Sequence, residues 1–449
     1  IDFPNLMKNC CKDLNSDIHS LFNCIIKSHK SSIFVYYSRI MNVLIVSTSD
    51  IHGGAAIAAF RLMRALQTVG TSVKMIVREK QSDDKDIIQI GSNLKNKWNF
   101  YWERGIIFLK NRLSKENLFD VSIANTGNSI TKLREFQEAD VIHLHWINQG
   151  MLAVDEIKDI LKSGKKVIWT MHDMWAFTGI CHHARQCLSY QSTCGNCPYL
   201  RTNTKKDLSN RIFEEKMSAY SNGKISFVAC SDWLKSLALK SPLTKNHLVK
   251  SIPNPIDTKV YSDTDKTEIR RKLHLPIDKK IVLFAAVKAS DKRKGVDFLL
   301  STAKQLSDYK NQLLFLIVGN EGDQIAQQID ISTFCTGFVN PTQMQDLYNA
   351  ADLFLTPSLQ ENLPNTIMEA MSCGTPCVGF NIGGIPEMID HKINGYVAEY
   401  MDANDLTRGI LWSLFESDAE MLSKNAREKV LLEYEQEKIA KRYLKLYEQ

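Results

Sequence analysis

Short apolar runs alternate with amphipathic stretches along most of this chain, and their rhythm predicts its architecture. MNVLIVSTSD, residues 41–50, is a continuous apolar run ending in small polar residues, the pattern of a strand buried on both faces of a parallel sheet. IHGGAAIAAFRLMRALQTVG follows with apolar residues at helical spacing and stops at Gly70, a good helix terminator because it accepts left-handed backbone without strain. SVKMIVRE reads as the next strand. A polar, irregular middle then separates it from DVIHLHW and KKVIWTMHD, two short apolar runs that close on histidine and aromatic residues. KISFVACSDWLKSLAL is a strand leading into a helix, and the two prolines of LVKSIPNPID close the first half.

The second half repeats this grammar. KKIVLFAAVKA is a strand, VDFLLSTAKQL a helix, and LLFLIVGNEGD a strand ending in a glycine turn. FCTGFV, MQDLYNAADLFLTPS and ENLPNTIMEAMSCGTPCVGF continue the series, and SKNAREKVLLEYEQEKIAKRYLKLYEQ is one helical segment with charged and apolar faces. Strands alternating with helices predict an α/β class with parallel sheets covered on both sides. A chain of 449 residues exceeds one ordinary core. Two domains are therefore expected, over 41–255 (with a cysteine-rich insertion at 181–198) and 256–430, joined near residues 253 to 262. Residues 431–449 form a C-terminal helix that packs back on the first domain. Residues 1–40 show no strong period and are expected outside the enzyme core, as a helical or disordered extension or as sequence upstream of the native coding region.

Composition changes the picture little. The net charge of +6, from 56 Lys+Arg against 50 Asp+Glu, is too dilute for a nucleic-acid binder. It suits an anionic small ligand or contact with an anionic membrane surface. No run approaches the length of a spanning helix, and no secretory signal pattern opens the chain. The 11 cysteines fit a reducing compartment better than a disulfide framework. The expected location is cytoplasmic, with peripheral contact through Lys95, Lys97, Lys110 and Arg112.

Three stretches carry candidate chemistry. Gly53 and Gly54 follow a strand and open a helix, where bare amides make an anion site, although their spacing is not the GxGxxG dinucleotide fingerprint. In VKASDKRKG, Lys288 and Lys294 lie six apart in a loop after a strand, where a doubly wound sheet binds its ligands. In QENLPNTIMEAMSCG, Asn362 or Asn365 supplies the cap of a helix that Gly374 ends, and its free amides suit a phosphate. Glu361 then sits in the loop, and Glu369, two turns on, offers both carboxylate oxygens to a diol such as ribose. Each of these features has a purely structural alternative: a tight turn, a solvated basic loop, a surface glutamate.

Taken together, these residues resemble the retaining nucleotide-sugar glycosyltransferases of family 4. The resemblance covers residues 41 to 449 and is strongest over PSLQENLPNTIMEAMSCGTPCVGFNIGGIPEMIDHKINGYV, residues 357–397. It implies the GT-B fold, two Rossmann-like domains whose parallel sheets face each other across a cleft. It also implies hexosyl transfer with retention, from a UDP- or GDP-sugar to a glycan or lipid-linked acceptor, in cell-surface polysaccharide or lipopolysaccharide biosynthesis, with no metal required for catalysis. Carried onto this chain, the family pattern sets Gly53 and Gly54 near the donor's phosphates and Lys288 and Lys294 on the diphosphate. Lysine replaces the usual arginine at 288 and so loses the bidentate fork. Glu361 falls near the transferred sugar, with the amides of Asn362 and Leu363 toward its hydroxyls, and Asn365 and Thr366 open the phosphate-binding helix. Glu369 falls on the ribose; Gly319 and the Gly337, Phe338, Val339 segment neighbour the base. His172, ending KVIWTMH, matches the family's histidine beside the sugar and leaving phosphate. His143 and His145 are assigned to the acceptor side.

CHHARQCLSYQSTCGNCP gathers Cys181, Cys187, Cys194 and Cys197. These suit a structural all-thiolate zinc site, with His182 or His183 as an alternative ligand, or a set of reduced thiols packed under the loop. The competing functions are a nucleotide-sugar-binding homologue without catalysis, another GT-B nucleotide-sugar enzyme such as an epimerase or glucan synthase, and a zinc-module nucleic-acid binder.

Overall fold

A computed structural model describes residues 41–202 and 204–449; the expectation for residues 1–40 lies outside them. The first sheet contains β1 (Asn42–Ser49), β2 (Ser72–Glu79), β3 (Ile87–Gln89), β4 (Val141–Leu144), β5 (Lys166–Met171), β6 (Ile225–Ala229) and β7 (Leu248–Ser251) in the order β3-β2-β1-β4-β5-β6-β7. The second contains β8 (Lys280–Lys288), β9 (Leu313–Asn320), β10 (Thr333–Gly337), β11 (Leu353–Thr356), β12 (Cys377–Phe380) and β13 (Gly395–Ala398) in the order β10-β9-β8-β11-β12-β13. Every pairing is parallel. In each sheet the order reverses beside the first strand of its half. Crevices at such reversals, outside the strands' carboxyl ends, are where doubly wound sheets hold ligands.

The unbroken apolar runs now have a cause. In β8, Ile281 and Leu283 enter one hydrophobic core while Val282 and Phe284 enter another on the opposite face. A strand buried on both sides has no polar face to alternate with. The helix after β1, α1 (Gly54–Thr68), buries Ala58, Leu62, Met63 and Leu66 against its sheet and gives way at Gly70, whose φ is +86°.

Two elements differ from expectation. The irregular middle contains an 18-residue helix, α2 (Asn93–Lys110). Its hydrophobic pattern conceals it, because four of the five residues it buries are polar or charged: Asn96, Asn99, Glu103 and Arg104, beside Ile107. The C-terminal segment, expected as one helix, breaks at Tyr434–Glu435. There the chain recrosses between halves, with Ile256 donating its amide to Tyr434 O at 3.0 Å and Gln436 donating to Ile256 O at 3.0 Å. Spending backbone groups on a neighbouring segment interrupts the helical ladder. The last helix then lies on α1 and buries Tyr443 and Tyr447 in the first half.

Candidate active site

The cleft between the sheets has a volume of about 510 Å³. One wall begins where β1 gives way to α1. Gly53 stands before the helix at φ +93°, a conformation that favours glycine, and no side chain caps the helix. Gly54 and Ile57 complete this lip.

Helix α3 (Val296–Gln305) follows β8, and the facing wall of the cleft is the loop that leaves β11 together with the helix it enters, α4 (Asn365–Ser372). Neither expected cap is made. Pro364 occupies the cap position of α4, and no side chain bonds the helix start. The two asparagines work across the cleft instead. Asn365 donates from Nδ2 to Gly54 O at 3.0 Å and accepts from Asn254 Nδ2 at 3.1 Å. Asn362 donates to His172 O at 3.2 Å and accepts from Ser231 Oγ at 2.6 Å. The first amides of α4 are therefore left for an anion.

Glu361 lies in this loop, within 2.5 Å of Lys294 Nζ. The Glu361 carboxylate is the main reason that the Lys294 ammonium is held above its ordinary pKa, against the opposing effect of burial. The loop is clamped from behind. Gly383 has φ +60°, and a Cβ there would fall 1.8 Å from Glu361 O, while the amide of Gly384 donates to Asn362 O at 2.7 Å. Only glycine permits that approach.

Glu369 is no surface residue, being 7% exposed. Its Oε1 accepts from Arg61 Nη2 of α1 at 2.6 Å, and its Oε2 accepts from the Tyr348 hydroxyl at 2.9 Å. A carboxylate has about four lone-pair sites, so acceptor capacity remains on its cleft side. Arg61, Tyr348 and Asn254 were not anticipated from the sequence. An arginine within an amphipathic helix reads as a solvated side chain, and its partner lies in the other half.

The lysine pair separates. Lys294 lines the cleft, whereas Lys288 projects from the end of β8, largely exposed, and pairs with Glu321 at 3.0 Å. Phe338 lines the cleft, but its neighbours Gly337 and Val339 do not, and neither does Gly319. Gly319 serves close packing, since a Cβ there would meet Ala286 O at 1.8 Å. Leu363 and Thr366 line the cleft beside Asn362 and Asn365.

His172 reaches the cleft from the end of β5. Its Nε2 is 2.9 Å from His145 Nδ1, and its Nδ1 is 3.6 Å from Cys230 Sγ. Burial pulls its pKa down to about 4, so the ring is neutral near pH 7. The placement of His143 and His145 on the acceptor side needs correcting. His143 is 0% exposed, with its nitrogens 2.7 Å from the Tyr447 hydroxyl and 2.8 Å from Thr170 Oγ1. His145 is also buried and meets the cleft only through His172. The returning C-terminal helix covers this strand end, which local sequence does not reveal.

A second cavity of about 970 Å³ adjoins the cleft, the two sharing His183, Gln360 and Glu361. The cysteine-rich segment forms one wall, through Arg185, Leu188, Tyr190 and Tyr199, and Trp233, Ile382 and Tyr400 form the other. The four cysteines surround a pocket of about 20 Å³, all as free thiols, with Cys194 Sγ accepting from the amide of Gly179 at 3.2 Å. Among the described residues no group of three or more His, Cys, Asp or Glu is arranged to hold a metal ion. His182 is bound to Asp173 at 2.7 Å and Ser122 at 3.0 Å, and His183 faces the cleft.

Comparison with known proteins fits this geometry. Residues 52–260 match the model of Glycosyltransferase Family 4, and residues 265–429 that of Glycosyl transferases group 1. Over 229 residues the chain is 30% identical to an N,N'-diacetylbacillosaminyl-diphospho-undecaprenol alpha-1,3-N-acetylgalactosaminyltransferase of Campylobacter jejuni, covering 49% of this chain and 57% of that protein. The match spans about half the length of this and other curated relatives. Among solved structures, sucrose-phosphate synthase from Thermosynechococcus elongatus superposes with a TM-score of 0.62 at 19% identity, over 91% of this chain and 98% of that one. Anabaena Alr3699/HepE, solved with UDP and glucose, gives a TM-score of 0.60 at 14% identity, over 90% and 99%. The fold is GT-B.

Proposed function

Starting from a chain that is GT-B in fold and family 4-like in sequence, we propose that it transfers a sugar from a nucleoside-diphosphate sugar to a glycan or lipid-linked acceptor, with retention. The observation that carries this reading is the uncapped start of α4, standing in one cleft with Lys294 and the Gly53–Gly54 lip. Free helix amides and an ammonium together make a diphosphate site. Glu369 takes the ribose with its remaining lone pairs, and Phe338 borders the base.

In the reaction, the acceptor oxygen bonds to the anomeric carbon as the bond from that carbon to the phosphate oxygen breaks. The acceptor's proton passes to the departing phosphate on the same face. Negative charge grows on the diphosphate, and Lys294 and the α4 amides, already oriented, stabilise it. Glu361 fixes Lys294 and orients the sugar. Neutral His172 shapes the cleft floor beside them. The adjoining cavity receives the acceptor, because it opens onto Glu361. Two substrates held in contact across one cleft supply the proximity the reaction needs.

A thermal-shift panel of UDP, GDP, ADP and their sugars tests this. A bound nucleotide at a hundred times its Kd stabilises the protein by about 2.7 kcal/mol. We expect one nucleoside diphosphate to raise the midpoint in the wild type and not in Lys294→Ala. No shift with any of them, or equal shifts in both proteins, overturns the assignment.

A further inference from the structure

We propose that α2 and the turn after it seat the protein on an anionic lipid bilayer. This helix is inside out. Asn96, Asn99, Glu103 and Ile107 fall on one face and hold the helix to the domain by polar contacts. Asn96 donates to Arg78 O at 3.0 Å and Ile90 O at 2.8 Å. Asn99 accepts from Thr126 Oγ1 at 2.9 Å, and the fully buried Glu103 accepts from the amides of Ile123 and Ala124 at 2.7 and 2.9 Å.

The opposite face carries what a soluble helix would bury. Leu94, Trp98, Tyr101, Trp102 and Leu109 are exposed, Trp98 at 64% and Tyr101 at 66%. Leu113 and Phe119 extend the patch into the following turn, where Arg112 and Leu113 take φ of 53° and 58°. The Trp98 and Trp102 rings stack at 5.7 Å, and they are the two exposed tryptophans among the described residues.

Charge identifies the occupant. Lys95, Lys97, Lys110, Arg112 and Lys115 are all exposed around this patch. The exposed acid nearby, Glu116, is matched by Arg201 at 3.6 Å. Tryptophan and tyrosine rings flanked by long cationic side chains suit the headgroup layer, where rings enter the apolar boundary and ammoniums meet phosphates.

The patch also leads toward the active site. Asn111 accepts from the amide of Arg201 at 2.6 Å, Asn117 donates to Tyr199 O at 3.4 Å, and Asp120 O accepts from the amide of His182 at 3.1 Å. Tyr199 belongs to the wall of the larger cavity. On the transferase reading above, the acceptor is therefore one carried on a membrane lipid and presented beside that cavity.

The test is co-sedimentation of the full chain with vesicles of phosphatidylcholine, with and without phosphatidylglycerol. Binding is expected to the anionic vesicles, with a blue shift of tryptophan emission. It should weaken by about fivefold for each lysine removed in Lys95→Gln and Lys97→Gln, and be lost in Trp98→Ser/Trp102→Ser at an unchanged melting midpoint. Absence of binding to anionic vesicles, or equal binding by the variants, overturns the proposal. So does a dimer in solution that Trp98→Ser dissociates, since the face would then belong to a second copy. The nucleotide panel on the same variants separates the two claims: vesicle binding without any nucleotide shift leaves the bilayer assignment standing and removes the transferase one.

Discussion

Arg61 and Glu369, 308 positions apart in the chain, meet at 2.6 Å and tie α1 of one half to α4 of the other. Both side chains are nearly buried, at 14% and 10% exposure. Removing one member of such a pair strands the other's charge, which costs about 3–5 kcal/mol. Arg61→Ala should therefore lower the thermal midpoint by several degrees. Arg61→Lys should recover part of this, since it restores charge without the planar fork. A midpoint in Arg61→Ala equal to wild type would show that the pair does not hold the halves together.

Lys294 and Glu361 form a second pair, 2.5 Å apart, in the cleft proposed to hold the donor. Loss of one preorganised charge partner costs about 10²–10³ in turnover. Lys294→Ala should show such a loss, with weaker nucleoside diphosphate binding, and Glu369→Ala should lose most turnover as well. Steady-state transfer and product-inhibition measurements check both. Near-normal rates in either variant contradict the site assignment.

Two glycines should respond in opposite ways to alanine. At Gly54 the new methyl would sit 3.8 Å from Asn365 Nδ2, an ordinary contact, so Gly54→Ala should fold with an unchanged midpoint. At Gly383 it would sit 1.8 Å from Glu361 O on backbone of φ +60°. The backbone strain alone costs about 1–3 kcal/mol, and the Glu361 loop must move. Denaturant melts of the two variants give the comparison, and equal stability would mean that the clamp behind Glu361 is slack.

Acid should weaken the fold before carboxylates titrate. Burial lowers the pKa of His172 to about 4 and that of His143 to about 3, against about 6.5 in an unfolded chain. Between those values the unfolded chain binds protons that the folded one excludes. Stability is therefore full above about pH 6.5 and falls as the pH drops toward 4. Each unit of difference is worth about 1.4 kcal/mol. Melting midpoints across pH 4 to 7 measure this, and His143→Gln should flatten the slope. A midpoint that stays level down to pH 5 would mean that the rings are not excluded from water.

Much of this was legible in local sequence. Strands buried on both faces announce themselves as unbroken apolar runs, and MNVLIVSTSD, KKIVLFAAVKA and LLFLIVGNEGD all became central strands. The helix beginning at Asn365 was equally plain, because Pro364 and Gly374 bracket it. What escaped depended on partners distant in the chain. His143 resembled a strand-end ligand until Tyr443 and Tyr447 returned to cover it. Asn365 resembled a cap until Gly54 claimed its amide. The helix α2 was invisible to hydrophobic periodicity because its inward face is polar and its outward face aromatic. The family pattern assigns both Lys288 and Lys294 to the diphosphate, with Lys288 already set apart by the missing arginine fork, but local spacing does not show that Lys288 pairs with Glu321 beyond a register shift between Ala285 and Lys288.

The return of the last helix also sets an order of events during synthesis. The first sheet leaves the ribosome well before Tyr443 and Tyr447 exist, yet His143 and Thr170 keep their hydroxyl partners on those two tyrosines. Until residues 436–447 emerge, that strand end is open to water and to other chains. The nascent first half must wait unfinished, or be sheltered, while the whole second half is made. Docking of residues 436–447 on the first half therefore follows synthesis of the second.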